Sequence, residues 1–290
     1  MEKFHSLQEW TSLADKHGIS LVEVVIRGEV SASGKSQEEI REKMSNNLKV
    51  MQNSIKEGLE KKEATMGGLA NREGVKILDA VKEGKIADDR ISKVTFRALA
   101  VSELNAAMGC IVAAPTAGSC GILPAILTTV GEERNSSYDE LVDALFIASG
   151  IGTIIAERAT IAGAEGGCQA ECGSAASMAA GAVVYLHQGT PEQMLDAAAL
   201  ALKNSLGLVC DPVAGLVEVP CIKRNAFLAV QALVAADLAI AGVKSVIPAD
   251  EVIDAMSEIG KEMSSKYKET AQGGLAKTPT GQKIAQEIRG

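Results

Sequence analysis

Between residues 206 and 225 the chain reads LGLVCDPVAGLVEVPCIKRN, and this stretch restricts the fold more than any other. Pro212 disfavours helix at Asp211 and stops a helix arriving from upstream. Pro220 precedes a long alanine-rich apolar run, so a helix is predicted over 222–242 with proline at its first position. Cys221 then falls in a first helical turn, where unpaired N–H groups and the helix dipole favour a thiolate. Cys210 stands directly before Asp211-Pro212. Cys168 has a similar setting, since it follows Gly166-Gly167 and opens the run CQAECGSAASMAAG. Three cysteines at loop-to-helix junctions are well placed to hold a metal.

The remainder reads as helix after helix. Ser6 with Glu9, Ser20 with Glu23 and Ser36 with Glu39 fit the capping box. After the last, Ile40, Met44, Leu48, Met51, Ile55 and Leu59 form one apolar stripe with a charged face opposite, which predicts core packing. Lys35, in SASGKS, is read as part of a solvated loop. A helix is predicted over 91–113, with Cys110 buried in its apolar end. APTAGSCGILPA follows as a loop whose backbone N–H groups and hydroxyls, Thr116 and Ser119, suit a small anion such as a carboxylate. Further helices are expected over 138–162, from Cys168 to about His187, and from the Thr190-Pro191-Glu192-Gln193 cap to about Leu206; Pro248 opens another. Cys120 and Cys172 are expected to pack rather than ligate, and His187 to pair with a helix end. The tail SKYKETAQGGLAKTPTG is polar, and a solvated or partner-bound state is expected for it, with contact between its lysines or Thr270 and a substrate as the alternative.

No strand–helix alternation appears, and no GxGxxG follows a strand pattern. The expected fold is all-α, a helical domain over 1–290 with residues 1–64 as a semi-separate helical layer. With hydrophobic residues at 47% and aromatics at 3%, the buried core must be built from Ala, Gly, Leu, Ile and Val. The net charge of −8 argues against nucleic acid, which needs a basic face. Residues 105–131 and 172–191 are uncharged but are broken by proline, glycine and polar groups, so no membrane span is expected. The opening MEKFHSLQEW lacks a signal-peptide pattern, which points to reduced thiols and a cytoplasmic protein.

Four strings make a closer comparison: APTAGSCGILPA at 114–125, EGGCQAECGSAASMAAG at 165–181, GLVCDPVAGLVEVPCIKRNA at 207–226 and KYKETAQGGLA at 266–276. In content and order they resemble the catalytic chain of bacterial iron–sulfur L-serine dehydratases. The resemblance implies a [4Fe–4S] cluster bound by Cys168, Cys210 and Cys221, with L-serine as substrate. It also implies the alpha chain of a two-chain enzyme with a separate beta subunit, because the SHTxGP segment of the beta domain does not occur here. The chain ends QEIRG, without the cluster-capping cysteine found in the tail of some single-chain relatives.

A cluster held by three cysteines has one iron without a protein ligand, a Lewis acid able to polarise the C–O bond of a bound hydroxyl. A base must also take the α-proton. Glu165, Asp211 and Lys268 are the candidate bases, with Glu171 also beside the motifs, and each could instead be a second-layer hydrogen bonder. Thr116, Ser119, Arg224 and Asn225 are the candidate contacts for the substrate carboxylate, with bracing of the helix as the alternative for Arg224 and Asn225. Two other readings stand beside this one. One is a related cluster enzyme such as a cysteine desulfidase. The other is a zinc or redox-sensing protein, although the spacings of 42 and 11 residues between the cysteines lack the close CxxC pairs of zinc sites.

Overall fold

The computed structural model describes residues 3–289, and among them the secondary structure is helical, with α-helices joined by short turns. The predicted caps open the first three, α1 (Leu7–His17), α2 (Leu21–Ser33) and α3 (Gln37–Glu60). In each, the backbone N–H of the glutamate donates to the capping serine: Glu9 to Ser6 at 3.0 Å, Glu23 to Ser20 at 3.1 Å and Glu39 to Ser36 at 3.2 Å. Each such cap stabilises its helix by about 1 kcal/mol. Of the three, Ser36 has the reciprocal half, donating its N–H to Glu39 at 2.8 Å. Glu9 accepts from the His5 N–H instead, and Glu23 turns to Arg27.

The stripe on α3 faces inward. Ile40, Leu48, Met51 and Ile55 are buried, and Met44 and Leu59 pack partly against the core. α4 (Glu73–Lys82) and α5 (Arg90–Ala106) follow. The helix expected over 91–113 therefore stops at Ala106. Met108 takes a left-handed φ of 62°, and the Gly109 N–H turns back to the Leu104 carbonyl at 2.8 Å. Cys110 lies beyond this stop and is exposed, not the core residue expected.

The remaining helices are α6 (Ile122–Arg134), α7 (Tyr138–Arg158), the single turn α8 (Gly163–Gly166), α9 (Ser174–Leu186), α10 (Pro191–Lys203), α11 (Cys221–Ile240), α12 (Ala249–Glu262) and α13 (Pro279–Arg289). The cap at Thr190 forms in full, with Pro191 as the first residue of α10. α9 is the hub: every residue from Ser174 to Val184 is buried, and α6, α7, α10 and α11 pack around it. Its Ala, Gly and Ser side chains allow that close approach. A Cβ on Gly152 of α7 would lie 2.9 Å from the Met178 sulfur of α9.

The N-terminal helices are not set apart as the semi-separate layer expected over 1–64. Leu7, Trp10, Leu48 and Met51 belong to the same continuous core as α7 and α9. Trp10 is fully buried, stacks on Phe4 with centroids 5.6 Å apart, and donates its indole N–H to the Leu21 carbonyl at 3.0 Å. No described helix is long and apolar enough to cross a membrane.

Candidate active site

Cys221 is the first residue of α11, as the Pro220 signal predicts, with Pro220 itself one step outside the helix. Cys168 begins differently from expectation. The α-helix does not start at this residue; it passes first through a π turn, Gln169–Gly173, before α9. Such turns often mark functional positions because they re-aim side chains. Gly167 takes φ 77°, and a Cβ there would lie 2.8 Å from the Leu208 carbonyl oxygen. That glycine lets the Cys168 segment run against the segment carrying Cys210. Gln169 completes the join: its N–H donates to Leu208 O at 3.0 Å, and its Oε1 accepts from Gly207 N at 2.8 Å.

Cys210 is fixed by the tail. Its N–H donates to Tyr267 O at 2.8 Å, and its carbonyl accepts from Glu269 N at 2.9 Å, so Cys210 and Lys268 form an isolated parallel bridge. The tail segment after Ser264 thus pairs by its backbone with the site, while most of its residues are exposed, as the solvated state expected for it implies. Thr270 closes its own turn by donating to Ser265 O at 3.0 Å.

Asp211 and Arg224 lock this arrangement. Arg224 donates to Val209 O at 2.8 Å and to Asp211 Oδ1 at 2.9 Å, and Asp211 Oδ2 accepts from the Leu275 N–H at 2.8 Å. Asn225 is fully buried and fully used. It accepts from Gly121 N at 2.9 Å and donates to Gly118 O at 2.7 Å and Cys221 O at 3.0 Å. It therefore ties the 114–121 loop to the start of α11. Ser119 is buried and folds back on Thr116, whose hydroxyl donates to Glu171 Oε1 at 2.9 Å. Glu165 is exposed and accepts from the Thr160 hydroxyl at 2.7 Å. Lys268 is half-buried, held by its backbone beside Cys210.

Cys168, Cys172, Cys210 and Cys221 are buried free thiols that share one electrostatic environment with Glu171. A hydrogen bond from the Cys172 thiol holds Cys168 below the usual thiol range against the effect of burial, and the Arg224 charge adds to it. The same hydrogen bond, with burial, pushes Cys172 well up. Burial pushes Cys210 above the ordinary range, and burial with the neighbouring Cys168 charge pushes Cys221 up to about 12. The thiolate expected at the start of α11 is thus outweighed by desolvation, which exceeds the contribution of a helix dipole at a dry position. Of the four, Cys168 is the thiol whose surroundings favour the charged form.

This donor set fits an iron–sulfur cluster: three thiols from three separate segments, buried together, with a guanidinium beside them to offset negative charge. Among the described residues, no three His, Cys, Asp or Glu side chains close on one point as a single metal ion would need. Cys120 is packed as expected, its thiol pushed up to about 12 by burial and donating to Val101 O. His187 pairs with the Val183 carbonyl at 2.9 Å near the end of α9. A surface cavity of about 490 Å³, lined in part by Gln8, Leu195, Lys244 and Pro248, includes none of these residues.

Sequence reasoning missed Glu218. It is buried before Cys221 and accepts from Thr65 Oγ1 and Gly67 N at 2.5 Å and from Leu69 N at 3.0 Å, anchoring the 65–69 turn beside the site. The glycine pair Gly67-Gly68 signals that turn, but nothing local links it to a residue about 150 positions away.

The chain matches the serine dehydratase alpha chain family over residues 16–276. It is 46% identical to the probable L-serine dehydratase alpha chain of Bacillus subtilis over 288 residues, covering 99% of this chain and 96% of that one. It is 43% identical to the L-serine dehydratase alpha chain of Peptoniphilus asaccharolyticus, covering 98% of each. Against an L-serine dehydratase of Streptomyces coelicolor it is 40% identical over 94% of its own length, which is 60% of that longer protein.

Proposed function

The chain belongs to the serine dehydratase alpha chain family, and from that premise we propose that it is the catalytic chain of an L-serine dehydratase. It removes water from L-serine to give aminoacrylate, which rearranges to an imine and hydrolyses to pyruvate and ammonia. The observation that carries this reading is the convergence of Cys168, Cys210 and Cys221, from three separate segments, into one buried set whose charges would act on one another.

These three cysteines would hold a [4Fe–4S] cluster. Such a group, with three thiolate ligands, supplies a Lewis-acidic iron that eases departure of a poor leaving group. The chain's own residues prepare the place. Arg224 brings positive charge to the thiolates while Asp211 and the Val209 carbonyl fix its guanidinium. Asn225 sets the distance between the 114–121 loop and the first turn of α11. The tail holds Cys210 through its backbone, at Tyr267 and Glu269. The 114–121 loop that carries Thr116 and Ser119 remains the candidate contact for the substrate carboxylate, although the Thr116 hydroxyl donates to Glu171 and the Ser119 hydroxyl to the Thr116 carbonyl.

A beta subunit is proposed as the partner. In support, relatives named alpha chain match this chain end to end, whereas the longer Streptomyces protein carries further sequence. The free state of all six cysteines agrees with a cytoplasmic location. The test is anaerobic purification with iron, sulfide and visible-absorption analysis, followed by assay for pyruvate from L-serine with and without the beta chain. Cluster absorbance and serine-dependent pyruvate are the expected result. Zinc in place of iron, or turnover of L-cysteine but not L-serine, would overturn it.

A further inference from the structure

Of the carboxylates near the cysteines, Glu171 is the one that is at least half-buried and keeps a carboxylate oxygen without a hydrogen-bond donor, whereas Glu269 is exposed. Asp211 is taken up by Arg224 and the Leu275 N–H. Glu218 receives three donors from the 65–69 turn, and Glu103 accepts from the N–H groups of Glu73 and Gly74 at the start of α4. Glu165 is exposed and bound to Thr160. Glu171 has one hydrogen bond, from Thr116, and it engages only Oε1.

The surroundings of Glu171 leave room for its carboxylate. Cβ atoms added to Gly118 and Gly163 would lie 3.0 Å from Oε1 and 2.5 Å from Oε2. The carboxylate occupies space that both positions keep free of side chain. It lies close enough to Cys172, Cys210 and Cys221 for its charge to raise each of them. Its own charged neighbour is Glu269, from the tail segment that clamps Cys210, so both the burial and the neighbour disfavour a second negative charge. A half-buried carboxylate without a counter-ion is costly to keep unless it has a task.

We propose that Glu171 is the base that takes the α-proton of the substrate, with Thr116 orienting it through Oε1 and leaving Oε2 for the proton. This rests on the dehydratase reading above. The Cα–H bond breaks and its proton goes to Glu171. The electron pair forms the Cα–Cβ double bond, and the β-hydroxyl leaves with the Cβ–O pair. The leaving hydroxide and the abstracted proton make up one water, so no oxidant or reductant is needed. Burial, and next the Glu269 charge, move Glu171 up from the ordinary carboxylate range, against the Thr116 hydrogen bond, which is the direction that favours proton uptake.

The test uses the cluster-loaded protein with the beta chain present. Glu171→Gln is expected to retain iron, sulfide and visible absorbance, to lose turnover by about 10²–10⁴-fold, and to lose solvent-deuterium exchange into recovered serine. Glu171→Ala with added formate is the second variant, and partial return of both turnover and exchange is expected. Turnover of Glu171→Gln within about threefold of wild type, or lost turnover with exchange retained, would overturn the assignment. So would loss of the cluster in both variants, which would make Glu171 a structural support. A wild type without iron and sulfide, or without pyruvate from serine, would instead remove the dehydratase reading itself.

Discussion

Arg224 and Asp211 meet at 2.9 Å, and both are largely removed from solvent, the Asp211 side chain at 4% exposure and Arg224 at 16%. The pair joins three segments: the Cys210 loop, α11 and the tail that reaches Asp211 through Leu275. Breaking one partner of such a pair strands the other charge in a dry place. Asp211→Ala is therefore expected to destabilise the fold by roughly 3 kcal/mol. It should also release the tail. Thermal unfolding measures the first effect, and limited proteolysis between residues 264 and 278 the second. An unshifted melting temperature with a protected tail would show that the pair contributes nothing.

Substitution of the cysteines sorts them into two groups. Cys168→Ser, Cys210→Ser and Cys221→Ser should each lose the visible absorbance of the reconstituted protein and its activity, because each removes one thiolate from the buried set. Cys110→Ser should lose neither, since Cys110 is exposed beyond the end of α5. Cys172→Ser should retain the cluster, because serine can still donate a hydrogen bond toward Cys168. A Cys210→Ser protein with full iron and full activity would sink the ligand assignment.

Much of this arrangement is legible in the sequence, and the parts that are not have a common cause. The Ser36 and Thr190 caps, the α3 stripe and the start of α11 beside Pro220 all depend on residues within a few positions of one another. The end of α5 is hidden because the apolar run continues past Ala106, and the backbone reversal at Met108 and Gly109 depends on packing against Leu104. The tail's hold on Cys210, and Glu218's hold on the 65–69 turn, join segments far apart in the chain. No local pattern carries them. Glu165 and Glu171 look alike in sequence, both beside Cys168. The π turn and the glycines at 118 and 163 turn one inward and leave the other in solvent.

The burial of Glu171 has a sign that stability measurements can read. Its folded pKa is raised, first by burial, above its unfolded value. Its contribution to stability is therefore fully present below the unfolded pKa and is lost as pH rises through the folded pKa. Above that window the protein holds an unfavourable charge. Glu171→Gln removes the charge while keeping the shape. In metal-free protein the variant should melt close to wild type at pH 4 and above it at pH 8. A difference that is the same at both pH values would show that the Glu171 charge costs the fold nothing.

Two glycine substitutions separate backbone strain from crowding. Gly18 closes α1 with φ 61°, and a Cβ added there would meet no atom within 4 Å, so Gly18→Ala meets only the left-handed penalty of about 1 kcal/mol. Gly167 has φ 77° and ψ −175°, a region that is nearly glycine-only. A Cβ there would also lie 2.8 Å from both the Leu208 carbonyl oxygen and the Met263 sulfur. The Leu208 carbonyl cannot yield freely, because it accepts the Gln169 N–H that joins the Cys168 and Cys210 segments. Gly167→Ala should therefore cost roughly 2–4 kcal/mol, strain and crowding combined. It should also displace Cys168, so that less iron and sulfide bind per chain on reconstitution, whereas Gly18→Ala loads normally. Paired melting curves and iron and sulfide titrations of the two variants make the comparison. Equal melting shifts with equal loading would mean that Gly167 serves only its own turn and does not position Cys168.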